Sequence, residues 1–230
     1  MWRGAAGLGL AAALACTPAL AQPCRQALVL ALDVSLSVDL GEFRQQRHGL
    51  ATALTDPLVR AAMIGSPDAV LDLAIFEFSG AYDQALLVDW TAIDSDVALA
   101  AVAAALRDLP QRAQTGRTAL GAAMEFGAAL LAQRSHCVQQ TLDISGDGPS
   151  NSGPPPGVIG AGLPPDLVVN ALVIDTGPAG LPAYFETEVI RGPLAFVEVT
   201  QGFDDYAEAM RRKLLREVSP VYGQYQATSK

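Results

Sequence analysis

Lysine is almost absent from this chain: among 230 residues there are two, Lys213 and Lys230. Gripping a polyphosphate backbone takes clustered Lys and Arg. With 15 basic against 24 acidic residues, a net charge of -9 and a pI of about 4.6, the composition excludes a nucleic-acid binder. Histidine is as scarce, and neither His48 nor His136 has a partner at metal-ligand spacing, so each reads as a core or surface residue. There is no His-Glu-x-x-His, P-loop, dinucleotide fingerprint or Gly-x-Ser-x-Gly elbow. Charged residues make up 17% and aromatics 6%, while 50% are hydrophobic, which excludes a disordered chain. The length suits one medium domain. A chain of this size buries roughly 70% of its unfolded surface and needs neither metal nor disulfide merely to fold.

The mean hydropathy of +0.27 raises the question of a membrane protein. The N-terminus accounts for much of it. Arg3 precedes an apolar run from Ala5 to Ala15, followed by Thr17-Pro18 and Ala19-Leu20-Ala21. That is a charged start, an apolar stretch too short to span a bilayer, and an A-x-A cleavage site. Residues 1–21 are therefore expected to be a signal peptide, 22–220 the domain and 221–230 a flexible tail. The rival readings are a buried N-terminal helix and a lipoprotein anchored through Cys16, whose upstream Leu14 stands one place off the usual box. No later run approaches the length of a membrane span, so a soluble periplasmic or secreted protein is expected.

Export alters how the cysteines read. Cys16 leaves with the signal, and Cys24 and Cys137 remain as an even pair in an oxidising compartment. Both precede apolar runs that look like buried strands. If those strands are parallel neighbours, the sulfurs share one sheet edge and can bond; two free buried thiols are the alternative.

Short apolar runs alternate with helical patterns along the chain. Strands are expected at Ala27–Leu32, Leu71–Phe78, Ala85–Trp90, Val138–Ile144, Leu167–Ile174 and Leu194–Val199. Helices are expected at Asp39–Leu54, Asp96–Leu106, Ala119–Ala132, Tyr184–Ile190 and Phe203–Arg216. Asp39 with Glu42 forms a capping box. Trp90 reads as edge-strand packing. In the last helix the acidic residues come early and the basic ones late, including Lys213, which reads as a solvated face matched to the helix dipole. Strands separated by helices predict an α/β fold: a doubly wound, mostly parallel six-stranded sheet with helices on both faces. The close pair at 71–90 predicts a hairpin and hence one antiparallel edge strand.

In such sheets ligands gather at the carboxyl ends of the strands. The first strand exits through Asp33-Val34-Ser35-Leu36-Ser37, which places oxygens at every second position of an extended loop, all on one side. Thr118 stands at a helix entry, Thr115-Gly116-Arg117-Thr118. The strand at 138–144 exits through Ser145-Gly146-Asp147-Gly148-Pro149. Two carboxylates and three hydroxyls form a hard, all-oxygen set suited to Mg2+ or Mn2+. Taken alone, Asp-x-Ser-x-Ser is equally a turn and helix-cap sequence.

In this arrangement the chain resembles a von Willebrand factor A (vWA) domain over roughly residues 25 to 216. Asp33, Ser35, Ser37, Thr118 and Asp147 match, in order, the metal-ion-dependent adhesion site of that family. It is also similar to a group of exported proteobacterial vWA-like proteins of unknown function that carry a Ser-Gly-Asp-Gly-Pro turn. The resemblance implies a divalent cation held directly or through water, with one coordination position left for a Glu or Asp carboxylate of a partner protein. Two departures stand out. Leu36 replaces the frequent Gly between the serines, and the Pro-rich segment 149–165 leaves the expected crossover helix short or missing. Asp143 is the rival of Asp147 as ligand, although it falls inside the strand. Two other functions stay open: a vWA scaffold with a non-functional metal site that binds by surface contacts, and a metal-dependent hydrolase.

Overall fold

The computed structural model describes residues 23–65, 68–108, 116–176 and 179–219. The expected signal peptide with Cys16, Thr115 and the expected tail lie outside them. The central strand β1 (Cys24–Asp33) is the apolar run CRQALVLALD, buried almost throughout. It is flanked in parallel by β2 (Val70–Phe78) and β4 (Gln139–Gly146). Beyond β2 lies the antiparallel edge strand β3 (Gln84–Ile93), and beyond β4 come β5 (Val168–Ile174) and β6 (Val197–Thr200), both parallel. The six-stranded order is β3-β2-β1-β4-β5-β6, a mostly parallel doubly wound sheet with one antiparallel edge, as expected.

A strand buried on both faces sends alternate residues to two cores. Leu28, Leu30 and Leu32 of β1 pack under α1 (Leu40–Leu54), α2 (Pro57–Ile64), α3 (Asp96–Asp108) and α7 (Tyr206–Val218). Ala27, Val29 and Ala31 face α4 (Leu120–Ala132) and α6 (Leu181–Glu188). A short helix α5 (Pro156–Gly162) fills the Pro-rich crossover between β4 and β5, so that helix is abbreviated rather than absent.

Local chemistry explains most boundaries. Asp39 caps α1 through Gly41 N and Glu42 N, and the Glu42 side chain accepts from Asp39 N. Helix α2 escapes the sequence reading; it begins at Asp56, whose side chain accepts from Leu58 N and Val59 N, with Pro57 in the first turn. Helix α6 starts earlier than expected because Pro182 suits a first turn. Strand β6 is shorter than expected: Gly192 (φ 86°) and Leu194 (φ 59°) turn the chain, and Leu194 is left exposed.

Two expectations about side chains meet the structure differently. Cys24 and Cys137 form a disulfide at the amino-terminal edge of the β1–β4 pair, 113 residues apart in sequence. Such a closure stabilises by about 4–5 kcal/mol in the chain-entropy account. The basic end of α7, in contrast, is not all a solvated face. Lys213 is fully buried, because Tyr206, Ala209, Met210, Lys213, Leu214 and Glu217 fall on the helical stripe that packs on the sheet.

Candidate metal centre

The strand order reverses direction between β1 and β4, and the carboxyl ends of these neighbours carry Asp33 and Asp147. This is the crevice position where doubly wound sheets bind ligands. Asp33 is the last residue of β1 and is fully buried. Its Oδ1 accepts from Ser35 N at 2.8 Å, an Asx-type turn that swings the exit loop across the sheet end. Ser35 Oγ lies 3.0 Å from Ser37 Oγ, and Ser37 Oγ donates to Asp147 Oδ1 at 2.8 Å. The alternation read from the sequence thus becomes a chain of oxygens from β1 to the exit of β4. Ser35, Thr118 and Asp147 are buried, and Ser37 is exposed at the mouth. Ser37, Thr118, Asp147, Gly148, Pro149, Asn151 and Thr176 line an open cleft of about 370 Å³.

Electrostatically this cluster brings two buried carboxyls together. Asp33 Oδ2 is buried and has no hydrogen-bond partner. Burial, and then the nearby Asp147 carboxylate, push the Asp33 carboxyl up to about 7, only partly offset by the Ser35 bonds. Asp147 is also raised, mainly by burial and to a lesser degree by Glu42, against the lowering effect of its bond from Ser37. A buried ionised oxygen without a partner is costly. An orphaned carboxylate oxygen, a second carboxylate and three hydroxyls around one cleft fit a hard divalent cation.

Asp143 lies elsewhere. It points from the middle of β4 to the α7 side, where Lys213 Nζ is 2.6 Å from its Oδ1. His48 is exposed on α1. His136 and Asp72 come near Cys24 and Cys137, but the sulfurs are joined to each other, so this group offers no thiolate for a metal.

Residues that the motif reading passed over hold the two loops together. Thr118 N donates to Asn151 Oδ1 at 3.0 Å, and Thr118 O accepts from Asn151 N at 2.8 Å. Ser150 Oγ accepts from Leu120 N, the first residue of α4, and Ser150 N donates to the Tyr184 hydroxyl. Ala119 N donates to Ser79 O at the exit of β2. The Asp147 turn and the Thr118 turn are therefore clamped by Ser150-Asn151, whose only sequence signal is its turn-forming composition. Gly121 permits this approach: a Cβ there would come within 2.1 Å of Pro154 O. Leu36 stays exposed and its side chain lies over Gly116, a left-handed residue (φ 79°), so the bulk between the serines points away from the oxygen chain.

A family model described as "Protein of unknown function (DUF1194)" matches residues 23–222. The chain belongs to this family. No curated protein matches the DUF1194 chain by sequence. Among solved structures it is similar to proximal thread matrix protein 1 from the mussel byssus, with a TM-score of 0.62 and 16% identity over 86% of this chain and 48% of that one. A form of the same byssus protein "with zinc occupied MIDAS motif" gives a TM-score of 0.61 at 16% identity, covering 85% and 46%. A von Willebrand factor type A protein from Catenulispora acidiphila gives 0.60 at 13% identity, covering 85% and 43%. The pilus adhesin SpaC from Lactobacillus rhamnosus GG gives 0.59 at 14% identity, covering 86% and 30%. The chain thus spans less than half the length of each of these structures. At these identities the likeness establishes the fold, which is vWA-like.

Proposed function

We propose that this chain is an exported, divalent-metal-dependent protein-binding module of the adhesion or scaffold type, and not an enzyme. Asp33, Ser35, Ser37, Thr118 and Asp147 would hold Mg2+ or Mn2+. When bound, the cation supplies an electropositive position that accepts a Glu or Asp carboxylate from a partner protein. The observation that carries this reading is the buried, unpartnered Oδ2 of Asp33 near a second buried carboxylate, with no basic side chain among the described residues acting on either. Burial keeps Asp33 out of competing contacts. The Ser35 amide fixes its other oxygen, Ser37 orients Asp147, and Asn151 holds the Thr118 backbone.

Other features agree with this reading. The cleft is open to a protruding acidic side chain. One structure of the byssus protein has a zinc-occupied MIDAS motif, and SpaC is a pilus adhesin. The disulfide fits an oxidising compartment, and among the described residues no helix is long and apolar enough to cross a membrane.

The test is thermal unfolding with Mg2+, with Mn2+ and with chelator, for the wild type and Asp33→Ala. A cation at about 100 times its Kd stabilises the wild type by about 2.7 kcal/mol. Asp33→Ala abolishes that gain. An identical midpoint with cation and with chelator in the wild type would sink the metal site and leave binding through surface contacts alone. Crosslinking capture from periplasm, with Mg2+ and with chelator, then identifies a partner retained only with metal.

A further inference from the structure

The buried cluster around Lys213 takes no part in the cleft. Lys213 Nζ lies 2.6 Å from Asp143 Oδ1 and 2.5 Å from Glu217 Oε1, and all three side chains are sealed from solvent. Asn170 on β5 donates to Glu217 Oε1 at 2.8 Å through its Nδ2, and its Oδ1 accepts from Phe196 N. The Phe196 ring walls the ammonium at 5.2 Å. Neither oxygen of Asp143 accepts a well-directed hydrogen bond, and Glu217 Oε2 has no partner. One ammonium thus faces two carboxyls in a dry pocket, an arrangement with a surplus negative charge if both are ionised.

We propose that Lys213 Nζ and Asp143 Cγ condense, with loss of one water, into an isopeptide bond that fastens α7 to the middle of β4, Glu217 carrying the proton. The reactants are a Lys213 ammonium, a protonated Asp143 carboxyl and a Glu217 carboxylate. Burial, and next Glu217, hold the Asp143 proton on, pushing that group up to about 7. Glu217 takes one proton from Nζ across the 2.5 Å contact, which exposes the amine lone pair. The lone pair attacks Cγ and the C–N bond forms. The intermediate then loses its hydroxyl, with a second proton from nitrogen, as water; Glu217 can relay that proton while remaining neutral overall. The products are a secondary amide, one water and a protonated Glu217. Atoms and charge balance, and no oxidant or co-reactant is needed.

Two physical terms favour the step. Three groups held in contact by packed elements react as an intramolecular pair. The reaction also converts buried charges into a neutral amide and a neutral acid, which removes a desolvation cost that the ion cluster carries. Asn170 holds Glu217 in place and acts as a positioning residue.

The experiment is mass spectrometry of the folded, purified chain after reduction and denaturation, with its N-terminus assigned from the N-terminal peptide. The expected intact mass is one water below that of the sequence. Trypsin should then fail to cut after Lys213, and the peptide Lys213–Arg216 should emerge joined to the peptide that runs from Ser135 to Arg191. Glu217→Gln, confirmed as folded by circular dichroism, should show the full mass and normal cleavage. A wild-type chain that keeps its full mass and releases Lys213 on prolonged incubation of the folded protein overturns the proposal. A crosslink persisting in Glu217→Gln overturns the role of Glu217. Because neither readout involves metal, the result is independent of the proposed cation site.

Discussion

Asp143 and Asp147 stand four residues apart on one strand and its exit, yet they occupy opposite electrostatic situations. Asp143, in the middle of β4, is enclosed on the α7 side with a lysine supplied by the chain itself. Asp147, just past the strand end, lies beside Asp33 and near Glu42, with no basic group among the described residues acting on it, at a cleft open to solvent. Burial raises both carboxyls, but among the described residues only Asp143 has an ammonium, that of Lys213, against it. The inner cluster is closed, whereas the outer one opens on the cleft.

Changing the charge of each cluster should give opposite signs. Lys213→Met strands Asp143 and Glu217 in the apolar interior and is expected to cost about 3–5 kcal/mol in urea unfolding. A cost below about 1 kcal/mol would mean that the lysine does not hold α7. Asp33→Asn, measured in chelator, should leave stability unchanged or raise it, since it removes a buried and repelled charge. The same variant should forfeit the metal-dependent gain of about 2.7 kcal/mol.

pH sharpens the contrast further. Because the Asp33 carboxyl is raised in the folded state, its contribution to metal-free stability is present below its ordinary range and is lost as pH rises through about 7. Calorimetry in chelator should show Asp33→Asn losing less stability than the wild type between about pH 5 and about pH 8. Protons and the cation compete for the same carboxylates, so Mg2+ affinity should rise over that interval; a pH-independent affinity would remove Asp33 from the site. The smallest effect is expected at the clamp. Asn151→Ala removes the bond from Thr118 N and should cost about 1 kcal/mol of stability, with a weaker cation response read by titration.

How much of this was legible differs from element to element. The apolar run of β1, the capping box at Asp39 and the hairpin from β2 to β3 are local patterns, and each lies where periodicity and turn chemistry put it. Asp33, Ser35 and Ser37 could be grouped from spacing alone because a strand exit aligns alternate residues. Helix α2 was missed because eight residues carry too little period, although Asp56-Pro57 announces its start. Ser150 and Asn151 act across a gap of thirty or more residues to Thr118 and α4, which no local pattern reports. Lys213 was misassigned because its charge was given more weight than its place on the buried stripe of α7.

Composition and periodicity alone thus determined the layered α/β architecture and placed Asp33, Ser35 and Ser37 on one strand exit. Those are properties of short windows, where side-chain period and hydrophobicity act directly. Which oxygens converge, which carboxyl is sealed with a lysine and which is left orphaned depended on strand order and register. Pairing β1 with β4 brings Cys24 to Cys137 at one end and Asp33 to Asp147 at the other, and puts Asp143 under α7. The partners are more than a hundred residues apart in the first two pairs and seventy in the third, so only the folded chain brings them into the range where Coulomb and desolvation terms operate.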